Sequence, residues 1–272
     1  MNSAIVKDYF REDKLPHIWC PGCSHGVVTK AIAEAIGNLG LDKDKVVVVS
    51  GIGCSSRAPG YLDFNTLHTT HGRALAFATG VKHANPELEV IVVTGDGDAS
   101  AIGGNHLIHA ARRNIGITTI VFNNNIYGMT GGQYSPTTPT GDLGTTAPYG
   151  NVDPAFDITK LAAAAGATYA ARSTAFHVKQ LTKYIEKAIS HNGFSLVEAV
   201  SICPIYYGRK NKKGTAVDML KFLKDSFIDL KVAEKLPKEK TEGKFLMGEF
   251  KHDTDQEEYT DKYTKLIQAV KG

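Results

Sequence analysis

The sequence has no surplus of either charge. Its 31 Lys and Arg against 28 Asp and Glu leave a formal net charge of +3 over 272 residues, too little to argue for a nucleic-acid partner. It also lacks any apolar run near the ~20 residues that span a bilayer, so no membrane segment is expected. Nor does the opening stretch, MNSAIVKDYFREDKLPHIWC, contain the apolar centre of a secretory signal. The expected location is the cytoplasm, where cysteines stay reduced. Only four cysteines occur, and in that setting they point to metal or redox chemistry over disulfides. Internal repeats and low-complexity tracts are absent as well.

What is present alternates. Apolar positions at helical spacing over 24–39 are followed by KVVVVSG, a buried strand ending at Gly51. A helix over 71–84, a strand over 90–94, a helix over 100–113 and a strand over 117–125 continue the pattern. Residues 131–154, rich in Gly, Pro and Thr, form a long loop, and a loop of that length is usually functional or covers something. Helix 157–165, strand 168–172, helix 174–190 and strand 195–201 follow. This pattern predicts an α/β fold with a mostly parallel, doubly wound sheet. Residues 1–205 form the predicted domain. Residues 206–272, with the basic stretch GRKNKKG and Lys/Glu-rich segments, form a predicted C-terminal extension suited to docking on a partner.

Strand 90–94 runs into TGDGDAS. The C-terminal ends of strands are where open α/β sheets bind ligands. Gly95 and Gly97 allow a tight turn there. Asp96 and Asp98 repel each other unless a cation sits beside them. A second set of oxygen ligands is available at Asn123, Asn124 and Asn125, where the next strand ends, 28 residues from Asp96 to Asn124. Carboxylate, amide and backbone oxygens together suit Mg²⁺ completed by a diphosphate.

GDGD followed by FNNNIYGMTGGQYSPT resembles the thiamine diphosphate motif in the form carried by β subunits of 2-oxoacid:ferredoxin oxidoreductases. The resemblance covers about residues 17–205. It implies the diphosphate-domain type of α/β fold, with Mg²⁺ bound by Asp96, Asn124 and the backbone carbonyl of Ile126. It also implies that Gly97, Asp98, Gly128 and Met129 line the diphosphate and thiazolium region. GIGCSS at 51–56 superficially resembles a dinucleotide fingerprint, but the third glycine is missing and residues 57–70 do not open a helix. The resemblance instead sets Ile52, Gly53, Cys54 and Ser55 against thiamine diphosphate.

Cys20 and Cys23 (CPGC), Cys54 and Cys203 all lie at element ends. From the residues alone, four thiolates fit Zn²⁺ or a [4Fe–4S] cluster, and CPGC by itself also fits a redox pair at a helix N-terminus. The family resemblance implies one [4Fe–4S] cluster on these four cysteines. It also places His71 in the pocket beside the reacting carbon. His106 and His109, three apart on a helix, have no further ligand pattern and read as structural.

The stretch GIGCSSRAPGYLDFNTLHTTHGRALAFATGVK looks most like the 2-oxoglutarate members. A second substrate carboxylate needs a fixed cation when buried, and Arg57 is the candidate because its fork suits a carboxylate. The implied reaction is oxidative decarboxylation of 2-oxoglutarate with coenzyme A to succinyl-CoA and CO₂, electrons passing to ferredoxin. The implied enzyme is active only with an α subunit that supplies the pyrimidine-side glutamate, as αβ or (αβ)₂ with or without small additional subunits. Three alternatives stay open at this stage. They are the same chemistry on pyruvate or a branched-chain 2-oxoacid, a non-oxidative thiamine diphosphate subunit, and a zinc-stabilised nucleotide-binding protein.

Overall fold

The computed structural model describes residues 4–271. Among the described residues ten strands form: β1 (Val46–Ser50), β2 (Asn65–His68), β3 (Glu89–Gly95), β4 (Thr118–Asn123), β5 (Ile126–Tyr127), β6 (Gln133–Tyr134), β7 (Tyr169–Thr174), β8 (Ser195–Val200), β9 (Phe227–Asp229) and β10 (Phe245–His252). Eight of them make one sheet in the order β2-β1-β3-β4-β8-β7-β10-β9, and β5 pairs with β6 in a small ribbon. From β2 to β7 all neighbours are parallel. β10 closes that edge antiparallel to β7.

Parallel strands need helical crossovers, and these cover both faces of the sheet. The side chains sort with period two, as a pleated strand requires. Ile91 and Val93 of β3 face the same core as Ile120 and Phe122 of β4, together with Ile32 and Ile36 of the helix His25–Asn38. Val90 and Val92 face the opposite core, with Val121, Leu75, Leu107 and Ile158. These residues are nearly or fully buried, and each large one contributes about 1.5–3 kcal/mol relative to exposure. Helix ends are set locally. Asp157 accepts a hydrogen bond from the Lys160 N–H at the start of Ile158–Ala165, and Gly166 ends that helix in the left-handed region, φ 110°.

Because the strands are parallel, their C-terminal ends share one edge of the sheet. β1, β3, β4 and β8 are consecutive there, with Ser50 opposite Val93, Gly95 opposite Phe122, and Asn123 opposite Val200. Thus GIGCSS, GDGD, NNNIYG and SICP leave the sheet side by side.

Three details differ from the sequence pattern. β2 is a strand of four exposed residues. It has no apolar alternation to announce it and is held by backbone pairing to β1. A short helix, Ala58–Tyr61, precedes it, where no helix was expected. The helix expected over 100–113 opens as a wide turn at Asp98–Ile102 before the regular helix Gly104–Arg113.

Residues after Pro204 add to the same sheet through β9 and β10. The helix Ala216–Ser226 opens on a capping box between Thr215 and Asp218. The last helix, Tyr259–Lys271, is tied to the core by the buried Glu258, which accepts from the N–H groups of Gly116 at 2.6 Å and Thr260 at 2.5 Å.

Candidate active site

A cavity of about 340 Å³ lies where the ends of β1, β3 and β4 meet. Every candidate residue named from the sequence for thiamine diphosphate or Mg²⁺ lines it: Ile52, Gly53, Cys54 and Ser55 from the β1 end, Asp96, Gly97 and Asp98 from the β3 end, Asn124, Ile126, Gly128 and Met129 after β4. His71 lines it too. Arg57 does not. It is exposed at the mouth, with Nη2 4.0 Å from the Met129 sulfur.

Asp96 is 2 % exposed. Its Oδ2 accepts from Ser135 Oγ at 2.5 Å and Thr137 Oγ1 at 2.6 Å, both from the long loop. Burial pushes the carboxyl up to about 6, opposed by those hydroxyls and by backbone N–H groups. Oδ1 is left facing Asn124. The tip of the Asn124 amide lies 3.3 Å from Asp96 Oδ1 and 2.8 Å from the Ile126 carbonyl oxygen, and the nitrogen in that position donates to both. With the amide oxygen there instead, it accepts from the Ile126 N–H at 3.3 Å and faces two further acceptors, an arrangement that a cation would relieve. The neighbouring Asn123 points away, its Nδ2 donating to Glu198 Oε1 at 2.7 Å. Of NNN, only the middle residue lines the cavity.

Asp98 is equally buried but turned elsewhere. Its Oδ1 accepts from His71 Nδ1 at 2.5 Å and Gly72 N–H at 2.6 Å, and Oδ2 accepts from Thr94 Oγ1 at 2.7 Å. It lines the cavity with its oxygens turned to the β1 and His71 loops. Glycine is required around it: a Cβ on Gly51 would lie 2.1 Å from Asp98 Oδ2, and one on Gly97 would lie 2.3 Å from the Tyr127 ring. Gly53, at φ 126°, has nothing within 4 Å of its Cβ position, so the backbone there is open to a ligand.

Two of the sulfurs lie beside Gly128. A Cβ on that glycine would stand 3.5 Å from Cys54 Sγ and 3.6 Å from Cys203 Sγ. Cys20 is exposed, while Cys23, Cys54 and Cys203 are half-buried. Burial pushes the Cys23 thiol up to about 12 and that of Cys54 to about 11, and the neighbouring cysteines add to both shifts. Burial likewise raises Cys203. Backbone N–H groups meet these sulfurs: His25 at Cys23, Met129 at Cys54, and Ile205, Tyr206 and Tyr207 at Cys203. Such donors favour thiolates and tune cluster sulfurs. Among the described residues no three His, Cys, Asp or Glu close on one point as a single ion requires. Gly128, without a side chain, leaves the space beside the Cys54 and Cys203 sulfurs clear.

Five further residues of the site were not singled out from the sequence. Ser135 and Thr137 orient Asp96. Tyr127 donates from its hydroxyl to the Gly97 carbonyl at 3.1 Å. Trp19 Nε1 donates to the Cys54 carbonyl at 2.7 Å. His25 is buried against Phe122 and Trp19, with ring centroids at 5.1 and 5.9 Å. Its Nδ1 has no partner, and burial holds its pKa down at about 4. The only sequence signals were the hydroxyl run SPTTPT and the histidine two residues after CPGC.

A larger cavity, about 680 Å³, lies beyond Asn123 and Thr137, walled partly by Phe156, Phe222 and Phe245. Its main polar pair, Arg172 and Glu198, is already joined at 2.8 Å. The buried Asp96 and Asp98 carboxylates, the unpartnered His25 and Cys54 belong to the smaller cavity.

Comparison with known proteins agrees. Residues 51–199 match the thiamine pyrophosphate enzyme, C-terminal TPP binding domain. The chain is 53% identical to the 2-oxoglutarate synthase subunit KorB of Methanothermobacter marburgensis over 264 residues, covering 97% of this chain and 92% of that one. It is 52% identical to the KorB subunit of Methanocaldococcus jannaschii, covering 97% of each. The solved 2-oxoglutarate:ferredoxin oxidoreductase from Magnetococcus marinus, with 2-oxoglutarate, coenzyme A and succinyl-CoA bound, superposes with a TM-score of 0.87 at 34% identity, over 100% of this chain and 92% of that one. The cavity, its glycine-lined strand ends and this agreement over nearly the whole length place the chain among the thiamine diphosphate-binding enzyme domains, in the family of KorB subunits of 2-oxoglutarate synthase.

Proposed function

We propose that this chain is the β subunit of a 2-oxoglutarate:ferredoxin oxidoreductase, converting 2-oxoglutarate and coenzyme A to succinyl-CoA and CO₂ and reducing ferredoxin. The observation that carries the reading is the cavity lined by Asp96, Asn124 and Ile126 that adjoins, at Gly128, the sulfurs of Cys54 and Cys203. Asp96 Oδ1, the Asn124 amide oxygen and the Ile126 carbonyl would hold Mg²⁺. Cys20, Cys23, Cys54 and Cys203 would hold a [4Fe–4S] cluster. When bound, thiamine diphosphate supplies the carbon nucleophile that releases CO₂ from a 2-oxoacid, and the cluster accepts the electrons one at a time.

The chain's own residues supply the setting. Ser135 and Thr137 fix Asp96 so that one oxygen stays free for the cation. Gly53 opens the backbone where the cofactor enters. Gly128 separates the two centres by a single residue without a side chain. Arg57 stands at the mouth as the cation for the distal carboxylate of the substrate. A separate α subunit supplies the glutamate for the pyrimidine side. Residues 206–272 form an extension of the core that contributes to partner contacts.

Anaerobic purification of the assembled complex tests this reading. It predicts visible absorption and an EPR signal on reduction, bound thiamine diphosphate, and reduction of ferredoxin dependent on both 2-oxoglutarate and coenzyme A. A colourless complex with one zinc per chain overturns the cluster assignment.

A further inference from the structure

We infer that Asp98 is the positioning residue of a proton-carrying pair, acting through His71 and not on the diphosphate. The inference rests on the oxidoreductase reading above and deepens it at one site.

Asp98 is 3 % exposed. Besides His71 Nδ1, Gly72 N–H and Thr94 Oγ1, the Ile52 N–H lies 3.4 Å from Oδ1. Four donors hold the carboxylate, and the space beside it at Gly51 is tight enough that a Cβ there would lie 2.1 Å from Oδ2. Gly72, at φ 72°, turns the chain so that the His71 ring and the Gly72 N–H reach the same oxygen.

A carboxylate accepts hydrogen bonds and does not donate them, so Nδ1 of His71 carries the hydrogen. That fixes the tautomer of the neutral ring and leaves the lone pair on Nε2. The ring lines the cavity, edge-on to Tyr127 at 6.1 Å, and 38 % of the side chain is open. Its hydrogen-bonded partner is buried, and the rest of the ring borders the space where substrate must enter.

During the reaction the oxygen on the 2-oxo carbon changes from carbonyl to hydroxyl and back. The protonated ring gives its Nε2 proton to that oxygen as the carbon is attacked. The neutral ring takes it back when the carbon gives up two electrons to the cysteine-held cluster and the C=O bond re-forms; the acyl group then passes to the thiol of coenzyme A, whose own proton is released. The proton is conserved, and Asp98 holds the ring in the orientation and tautomer that serve both transfers.

The test is a double-mutant cycle in the assembled enzyme, with Asp98→Asn, His71→Gln and the pair. The amide that Asp98→Asn introduces can donate to Nδ1 and impose the wrong tautomer with little change of shape. Each single variant is expected to lower kcat on the order of 10²-fold, the usual range for general acid–base catalysis. Thiamine diphosphate affinity and the KM for 2-oxoglutarate should stay within about twofold. The double variant should be no slower than the slower single, because both changes remove one function. Losses that multiply overturn the pairing. So does an Asp98→Asn variant that loses cofactor affinity as much as kcat. If Asp98→Asn does not assemble, His71→Gln decides: full kcat refutes the pair, and lost kcat with intact cofactor affinity supports it. A wild-type complex inactive on 2-oxoglutarate would sink the function itself, whereas an active wild type with multiplicative losses would sink only the pair.

Discussion

Replacing Thr137 by valine removes one hydroxyl and changes little in volume. In the structure that hydroxyl lies 2.6 Å from Asp96 Oδ2 and 3.0 Å from Asn123 Oδ1, and both are acceptors. Its hydrogen serves the buried carboxylate. A hydrogen bond to a charged group is worth about 1.5–3 kcal/mol. Ser135 remains on the same oxygen at 2.5 Å, so the lower end of that range applies to the single change, or about tenfold in affinity. Removing Ser135 as well, in Ser135→Ala/Thr137→Val, leaves Oδ2 without a hydroxyl donor. The loss should reach roughly 3 kcal/mol, or on the order of 100-fold, as is common for groups that orient a metal ligand. Isothermal calorimetry of Mg²⁺ and thiamine diphosphate with the assembled complex reads this directly. The graded loss is the informative result. If both variants bind the cofactor as the parent does, Asp96 does not hold the cation, or its orientation does not depend on the loop. The argument from the oxygen cluster then fails.

Three other outcomes are expected. Gly128→Ala places a methyl group 3.5–3.6 Å from Cys54 and Cys203 Sγ, an ordinary contact in the empty protein but one that projects into the cluster volume; the cluster-free chain should melt within about 0.5 kcal/mol of the parent while iron content falls, and a full cluster in the variant would refute the placement. Arg57→Met should lower kcat/KM for 2-oxoglutarate by about 10- to 150-fold while sparing 2-oxobutyrate, which lacks the distal charge; an equal loss on both, measured side by side, would make Arg57 structural. Changing Arg209, Lys210 and Lys212 to Glu, on the loop that follows the Cys203 turn, should raise the KM for an acidic ferredoxin and flatten its salt dependence, with reduction of a small viologen dye unchanged; an equal effect on both acceptors would remove this loop from ferredoxin docking.

Much of the site could be read from the sequence because parallel sheets deliver their strand ends to one edge. Once KVVVVSG, VIVVTGDGD and ITTIVFNNN were recognised as strands, their terminal Gly, Asp and Asn had to meet, and they do. The division of labour between Asp96 and Asp98 was not readable, because it depends on which hydroxyls and amides arrive from 71–72 and 135–137. Those residues sit in loops whose paths follow from tertiary contacts and leave no periodicity. His25 was hidden for another reason: on a helix, one buried imidazole looks like any core residue. β2 and β10 were missed because their pairing rests on backbone hydrogen bonds at the sheet margin, where side-chain alternation is weak.

The decisive assay is anaerobic turnover by the complex of this chain with its partner subunit, offered 2-oxoglutarate or pyruvate with coenzyme A and ferredoxin, with the acyl-CoA product identified by mass. The structure and its relatives predict succinyl-CoA formed together with reduced ferredoxin from 2-oxoglutarate, and little product from pyruvate. Acetyl-CoA as the main product would contradict the substrate assignment while leaving the cofactor sites standing. CO₂ release without any ferredoxin reduction would contradict the oxidoreductase reading itself.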